Sequence, residues 1–269
     1  MSDYERLIVE RDGPVGWLIF NRPDAANAMD VTMLDELERA WDELERNPQV
    51  RVIVNTANGS AFCTGVDVVQ LSKDKAALTV HSRRTRDATL RMSAWHCGVT
   101  KPVICAVNGV CAGGGLHFVA DADIVMAADS ATFVDPHVSI GQAVAYEAIT
   151  LIQKSPMEPI LHLALVGRRE RMTANRAYQL GVISQVEPPD HLRTAAQELA
   201  ITIAQNSPSA LAATKKALWG ALETGMTQAK RHAGPLVTAQ WAHPDAAEGL
   251  QAFIDGRAPQ WAEPDSQGS

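Results

Sequence analysis

Three consecutive glycines, Gly113-Gly114-Gly115, stand between the apolar run Pro102–Gly109 and a second apolar run that opens Leu116-His117. Bare backbone N–H groups at a helix start suit an anion or a developing negative charge. His117, one turn on, can act on whatever those amides hold. A second imidazole, His137, sits in a comparable setting twenty residues later. Another glycine loop, Ala61-Phe62-Cys63-Thr64-Gly65-Val66-Asp67, also follows a β-like run. Two such loops at one edge of a sheet can each aim an N–H at one carbonyl oxygen. Losing one donor of such an oxyanion hole costs about 2.7–4 kcal/mol of transition-state stabilisation. Glycine serves there because a side chain would block the approach of substrate. A glycine run can also be a plain tight turn or a nucleotide loop. The junction lacks G-x-G-x-x-G, and the chain lacks a G-x-x-x-x-G-K-[ST] loop and a G-x-S-x-G elbow.

The elements that must hold these residues alternate. Leu7–Glu10 and Val15–Phe20 flank Asp12-Gly13-Pro14 and read as a hairpin. Asp30 can cap a helix whose apolar positions Leu34, Leu37, Trp41 and Leu44 recur at three- and four-residue steps, closed by Asn47-Pro48. Residues 50–54 form a β-branched strand, and 58–65 a glycine-punctuated loop. A helix is predicted over 81–95, strands over 103–107 and 124–127, and a helix over 114–120. Strand–helix alternation predicts a parallel or mixed α/β sheet. From about Pro188 the strands stop, and helices are predicted over 192–205, 211–222, 226–241 and 246–254. Helices this apolar need a surface to cover, on the core or on a neighbouring subunit. The tail from Ala262 is polar and is read as disordered. The division expected is a core over 1–190, a helical region over 191–260 and a tail over 261–269.

The whole chain sets outer limits. Its 269 residues, 46% hydrophobic and 20% charged, describe a globular protein with a sizeable core. A net charge of −7 argues against a nucleic-acid partner. Two basic clusters, Arg83-Arg84-Thr85-Arg86 and Arg168-Arg169-Glu170-Arg171, read as solvated faces rather than phosphate contacts. The polar, acidic N-terminus is no secretory signal. The apolar stretch 103–128 carries Asn108, His117, Asp121 and Asp123, so it reads as core and not as a membrane span. Cys63, Cys97, Cys105 and Cys111 form no C-x-x-C pair or zinc-spaced group, so no metal is expected. Reduced thiols and a cytoplasmic location are the expectation.

In their order and spacing, several stretches resemble the crotonase superfamily, the enoyl-CoA hydratase/isomerase family. They are Asn21-Arg22-Pro23-Asp24-Ala25-Ala26-Asn27-Ala28, 61–68, and Lys101–Gly109 with its glycine run. Ala122-Asp123-Ile124, Ala131-Thr132-Phe133 with Pro136, Ala177–Gly181 and Phe253 extend the resemblance from about Arg6 to Gln260. It implies a spiral core of ββα repeats with a helical C-terminal trimerisation region. It implies a coenzyme A thioester substrate, no separate cofactor, and a homotrimer or dimer of trimers without a membrane or nucleic-acid partner. The amides of Val66 and Gly114 would form the oxyanion hole and stabilise a thioester enolate. Ala26, Cys63, Asp67, Val68 and Gly113 would line the substrate. Phe253 of a neighbouring subunit would close over it.

The departures from the family pattern concern proton chemistry. Family hydratases carry glutamates at the positions held here by His117 and His137. Histidine keeps the capacity for proton transfer, with an ordinary pKa of ~6.5. Glu147 joins the two histidines as a catalytic candidate, and Tyr146 is a polar group for the pocket. Asp24 replaces a usual basic residue, and Arg257 stands one position from another. Enoyl-CoA hydration is the default reading. Enoyl-CoA isomerisation and hydrolysis of a β-diketone C–C bond suit the histidines as well. A non-catalytic acyl-CoA-binding protein is the alternative of another class.

Overall fold

The computed structural model describes residues 4–74, 76, 80, 83–84 and 90–262. Strands β1 (Leu7–Asp12) and β2 (Val15–Phe20) form the expected hairpin. The sheet continues in parallel through β3 (Val52–Ala57), β5 (Val103–Val107), β7 (Ile124–Ala128) and β10 (Gln185–Glu187). Strands β2, β3 and β5 are buried at every position, in keeping with sequences that are largely apolar; the buried Asn55 and Thr56 of β3 donate to Leu18 O and Ala106 O.

A second, smaller sheet is built from short strands in the order β4 (Ala61–Cys63), β6 (Val110–Ala112), β8 (Thr132–Val134) and β9 (Met172–Thr173). The first three run parallel to one another. Each follows a long strand after a brief turn, so the chain passes from large sheet to small sheet at β3–β4, β5–β6 and β7–β8. The glycine loop expected over 58–65 therefore contains a strand, and another strand leads directly into the Gly113–Gly115 run. Three residues are too few to show a β period.

Helix α1 (Val31–Arg46) starts where expected: Asp30 accepts from the Met33 N–H at 2.8 Å, and Leu34, Leu37, Trp41 and Leu44 face the core. Helix α2 (Val68–Lys73) follows β4. The glycine run is one 3₁₀ turn, Gly113–Gly115, leading into α3 (Leu116–Ala120). Helices α4 (Tyr146–Lys154), α5 (Met157–Val166) and α6 (Ala174–Gln179) precede β10. The helix expected over 81–95 is not formed at its end. Residues 81–82 and 85–89 lie outside those described, and 93–98 make a turn in which Cys97 N–H reaches Ser93 O and Gly98 takes a φ of +68°.

The C-terminal helices are α7 (Leu192–Ala204), α8 (Pro208–Ala221), α9 (Met226–Trp241) and α10 (Pro244–Asp255). Helix α7 lays Leu192, Ala195, Ala196, Ala200 and Ala204 on the large sheet, so the core packing runs past residue 190. Asp123 fastens α8: it accepts from the Val103 N–H and Trp219 Nε1 and pairs with Lys215 at 2.8 Å. Of the tail, Trp261 and Ala262 are held in place, donating to Gln205 O and Asp245 Oδ1. Residues 263–269 lie outside those described.

Candidate active site

The parallel register of β4, β6 and β8 brings the segments that leave them side by side. Those segments carry Gly65–Val66, Gly113–His117 and Asp135–His137. At Gly65 the backbone takes a φ of +88°, which favours glycine. A Cβ at Gly65 would stand 3.0 Å from the Gly114 nitrogen, so the first two segments touch. Val66 forms a bridge with Met29. Its hydrogen bonds run from Met29 N–H to Gly65 O and from Asp67 N–H to Met29 O. The Val66 amide takes no part in that bridge. Gly114 lies in the first turn of its 3₁₀ helix, where an N–H has no partner from the preceding helical turn.

The third segment reaches the glycine run. A Cβ at Gly113 would lie 3.6 Å from His137 Cε1. His137 is fixed by Asp135, which is buried: one oxygen, Oδ1, stands 2.7 Å from the ring Nδ1 and accepts the His137 backbone N–H at 3.0 Å. That hydrogen bond raises the His137 pKa above its ordinary value, against the opposing effect of burial.

Helix α4 supplies the remaining group. Glu147 and Leu151 are one turn apart on one face, and both are buried where α4 packs on α3. Burying Leu151 thus carries a carboxylate into the site. Glu147 Oε2 lies 3.5 Å from His117 Nε2, and Oε1 lies 3.6 Å from His137 Nδ1. The three sequence candidates His117, His137 and Glu147 are therefore one cluster, with the carboxylate between the rings.

Behind His117 is a second polar cluster. Its Nδ1 lies 3.8 Å from Asp121 Oδ2. Ser93 donates to that oxygen at 2.5 Å and is 2.8 Å from His96 Nδ1. Burial lowers the His96 pKa, opposed by Asp121. The His96–His117–Asp121 and Asp135–His137–Glu147 groups each bring three nitrogen or oxygen atoms within 4.8 Å. Such donor sets suit a metal ion in type. Here Asp135 is hydrogen-bonded to His137, and Asp121 and His96 to Ser93. Asp135, Asp121, Ser93 and His96 were not among the sequence candidates. Asp121 could have been found from its i,i+4 spacing to His117, and Asp135 from lying two residues before His137.

The other expected residues divide. Asp67 caps α2 through the N–H groups of Val69 and Gln70, which lower its pKa, and pairs with Arg22 at 2.7 Å. Arg22 also faces Asp30 at 3.5 Å. Ala26, at a φ of +50°, accepts from Thr64 Oγ1, which ties the N-terminal loop to the Gly65 segment. Cys63 is fully buried beneath Gly115, and burial pushes its thiol up to about 12. It offers no exposed side chain to a ligand. Val68 and Tyr146 are exposed at the starts of α2 and α4. Phe253 stands 85% exposed on α10, so within one chain it closes over nothing. Arg257 is spent on Glu248 and Asp255.

A model of the family described as enoyl-CoA hydratase/isomerase matches residues 10–264. The chain belongs to this family. It is 33% identical over 261 residues to a Mycobacterium bovis protein named "Probable enoyl-CoA hydratase", covering 96% of this chain and 98% of that one. It is 32% identical over 254 residues to the 2,3-dehydroadipyl-CoA hydratase of Escherichia coli, covering 94% and 97%. Among solved structures, an enoyl-CoA hydratase/isomerase from Mycobacterium paratuberculosis superposes with a TM-score of 0.88 at 35% identity, over 97% of this chain and 99% of that one. The α/β fold of this enoyl-CoA hydratase/isomerase family member is thus the crotonase fold.

Proposed function

We propose that this chain adds water to an acyl-CoA thioester, with hydration of a 2-enoyl-CoA as the leading reaction. The observation that carries this is Glu147 lying between His117 and His137, with His137 against Gly113, next to the point where the Gly65–Val66 and Gly114 segments meet. The thioester oxygen rests on the Val66 and Gly114 amides. His137 takes a proton from a water, whose oxygen bonds to the β carbon. The electron pair moves through the α carbon to the thioester oxygen, giving an enolate that the two amides stabilise. The imidazole–carboxylate cluster returns a proton to the α carbon. Water is consumed and no net proton is released. The hydratase names of the relatives support this reading, as does the substitution of one proton-transfer group by another at both altered positions.

A specific observation favours a second reaction. Arg22 is turned onto Asp67 and Asp30, and Asp24 is two residues on in sequence, so the charge of this arginine is engaged by carboxylates rather than turned to a phosphate. Hydrolysis of the C–C bond of a β-diketone uses the same centre. Water adds to one carbonyl, the C–C bond breaks, and the departing enolate rests on the two amides before it is protonated. The products are a ketone and a carboxylate, with one proton released. A panel of 2-enoyl-CoA, 3-enoyl-CoA and β-diketone substrates, with thioester binding measured in parallel, separates the readings. Turnover of 2-enoyl-CoA supports hydration, and turnover of β-diketones alone supports C–C hydrolysis. Migration of the double bond alone supports isomerisation. Binding without turnover of any overturns the enzymatic reading.

A further inference from the structure

The two ring nitrogens of His137 differ: Nδ1 faces two carboxylates, and Nε2 makes no hydrogen bond or ion pair among the described residues. Nδ1 is 2.7 Å from Asp135 Oδ1, while the Cε1 edge of the ring lies against Gly113. The same Oδ1 accepts the His137 backbone N–H, so this oxygen acts as an acceptor toward residue 137. An acceptor oxygen facing a ring nitrogen at hydrogen-bond distance requires that nitrogen to carry the proton. We propose that Asp135 is a positioning residue: it fixes His137 as the Nδ1–H tautomer and leaves Nε2 as the nitrogen that takes the proton at the reaction centre. An orienting carboxylate behind a general base is a recurrent arrangement, and its loss costs turnover through the tautomer rather than through binding. Glu147 lies farther from both rings, with Oε1 3.6 Å from the same Nδ1 and Oε2 3.5 Å from His117 Nε2, so Asp135 is the hydrogen-bonding partner of Nδ1.

The inference deepens the reading of His137 as the base and rests on it for its catalytic meaning. Among the described residues, the charged groups facing the ring are Asp135 and Glu147. The neighbouring turn Gly167–Arg169 meets the His137 segment through the Arg168 N–H on Ser139 Oγ. The raised His137 pKa agrees with a charged partner on Nδ1.

The test needs no substrate. Full-length protein labelled with ¹⁵N-histidine is titrated by NMR, with the His137 signals assigned by their loss in His137→Gln. Neutral His137 is expected as Nδ1–H. Asp135→Asn keeps an acceptor oxygen but removes the charge, so the tautomer is expected to stay while the titration midpoint falls. Asp135→Leu removes the acceptor, and the preference for Nδ1–H is expected to collapse. An Nε2–H tautomer in the unaltered protein would overturn the proposal, as would an unchanged midpoint in Asp135→Asn. If Asp135→Leu fails to fold, those two results still decide. A failure of the substrate panel with the Nδ1–H tautomer intact would count against the proposed function alone.

Discussion

Glu147 places one carboxylate oxygen within 3.6 Å of each of two imidazoles, so the histidines and the carboxylate form one cluster, which the proposed function uses as its acid–base group. Removing either partner of His137 or the ring itself acts on turnover more than on binding, since none of them builds the anion cradle. His137→Ala is expected to lower kcat by at least ~100-fold, within the range for a lost general base, while thioester binding measured by calorimetry is retained. The pH dependence has a definite sign. A base must be unprotonated to act, and Asp135 raises the His137 pKa. Turnover should therefore rise with pH through a midpoint above the ordinary histidine value of ~6.5. A pH–rate profile already flat below that value would count against His137 as the base. The sequence displayed His117, His137 and Glu147 as candidates. It did not display Asp135 or Asp121 as their partners, because an aspartate beside a turn has many local uses and only packing selects one.

Three short strands decide where these side chains meet. The sequence made the long strands legible, since five or six buried residues such as Val103–Val107 form a β-rich run. The three-residue strands β4 and β6 fell within glycine-rich stretches and β8 gave no strand signal, yet their parallel pairing aligns the three site segments. The glycines at this junction differ in purpose. A Cβ at Gly115 would collide with the Cys63 backbone carbonyl. Gly115→Ala is expected to destabilise the fold by about 1–3 kcal/mol or more, as overpacking does, read as a lowered midpoint in urea. A Cβ at Gly114 would meet chiefly the Met29 terminal methyl at 3.2 Å, which is the mobile end of a side chain. Gly114→Ala should fold with near-normal stability and lose turnover instead, because the added methyl crowds the amide cradle. Equal stability losses in the two variants would contradict that distinction.

At the scale of the molecule, the helical C-terminus was legible from its pattern, with α9 starting and ending at the expected residues. Its partner was not, because an apolar helix face does not say what covers it. Among the described residues, α8, α9 and α10 leave Leu218, Met226, Trp241, Leu250, Phe253 and Ile254 each more than 60% exposed. A surface this apolar marks an interaction site. Light scattering on the purified chain is expected to give a homotrimer or a dimer of trimers, and Phe253→Asp to weaken it. A monomer at micromolar concentration would overturn the expectation. No helix among the described residues is long and apolar enough to cross a membrane. In the proposed function, a cluster of His117, Glu147 and His137 activates water at an enolate-stabilising site. The most direct measurement is steady-state turnover of the substrate-panel compounds by the unaltered chain and by Glu147→Gln, with thioester affinity determined on the same preparations. Turnover by the unaltered chain is expected, with a fall of at least ~100-fold in kcat for Glu147→Gln and affinity within a few-fold. Undiminished kcat in Glu147→Gln would contradict the proposed function.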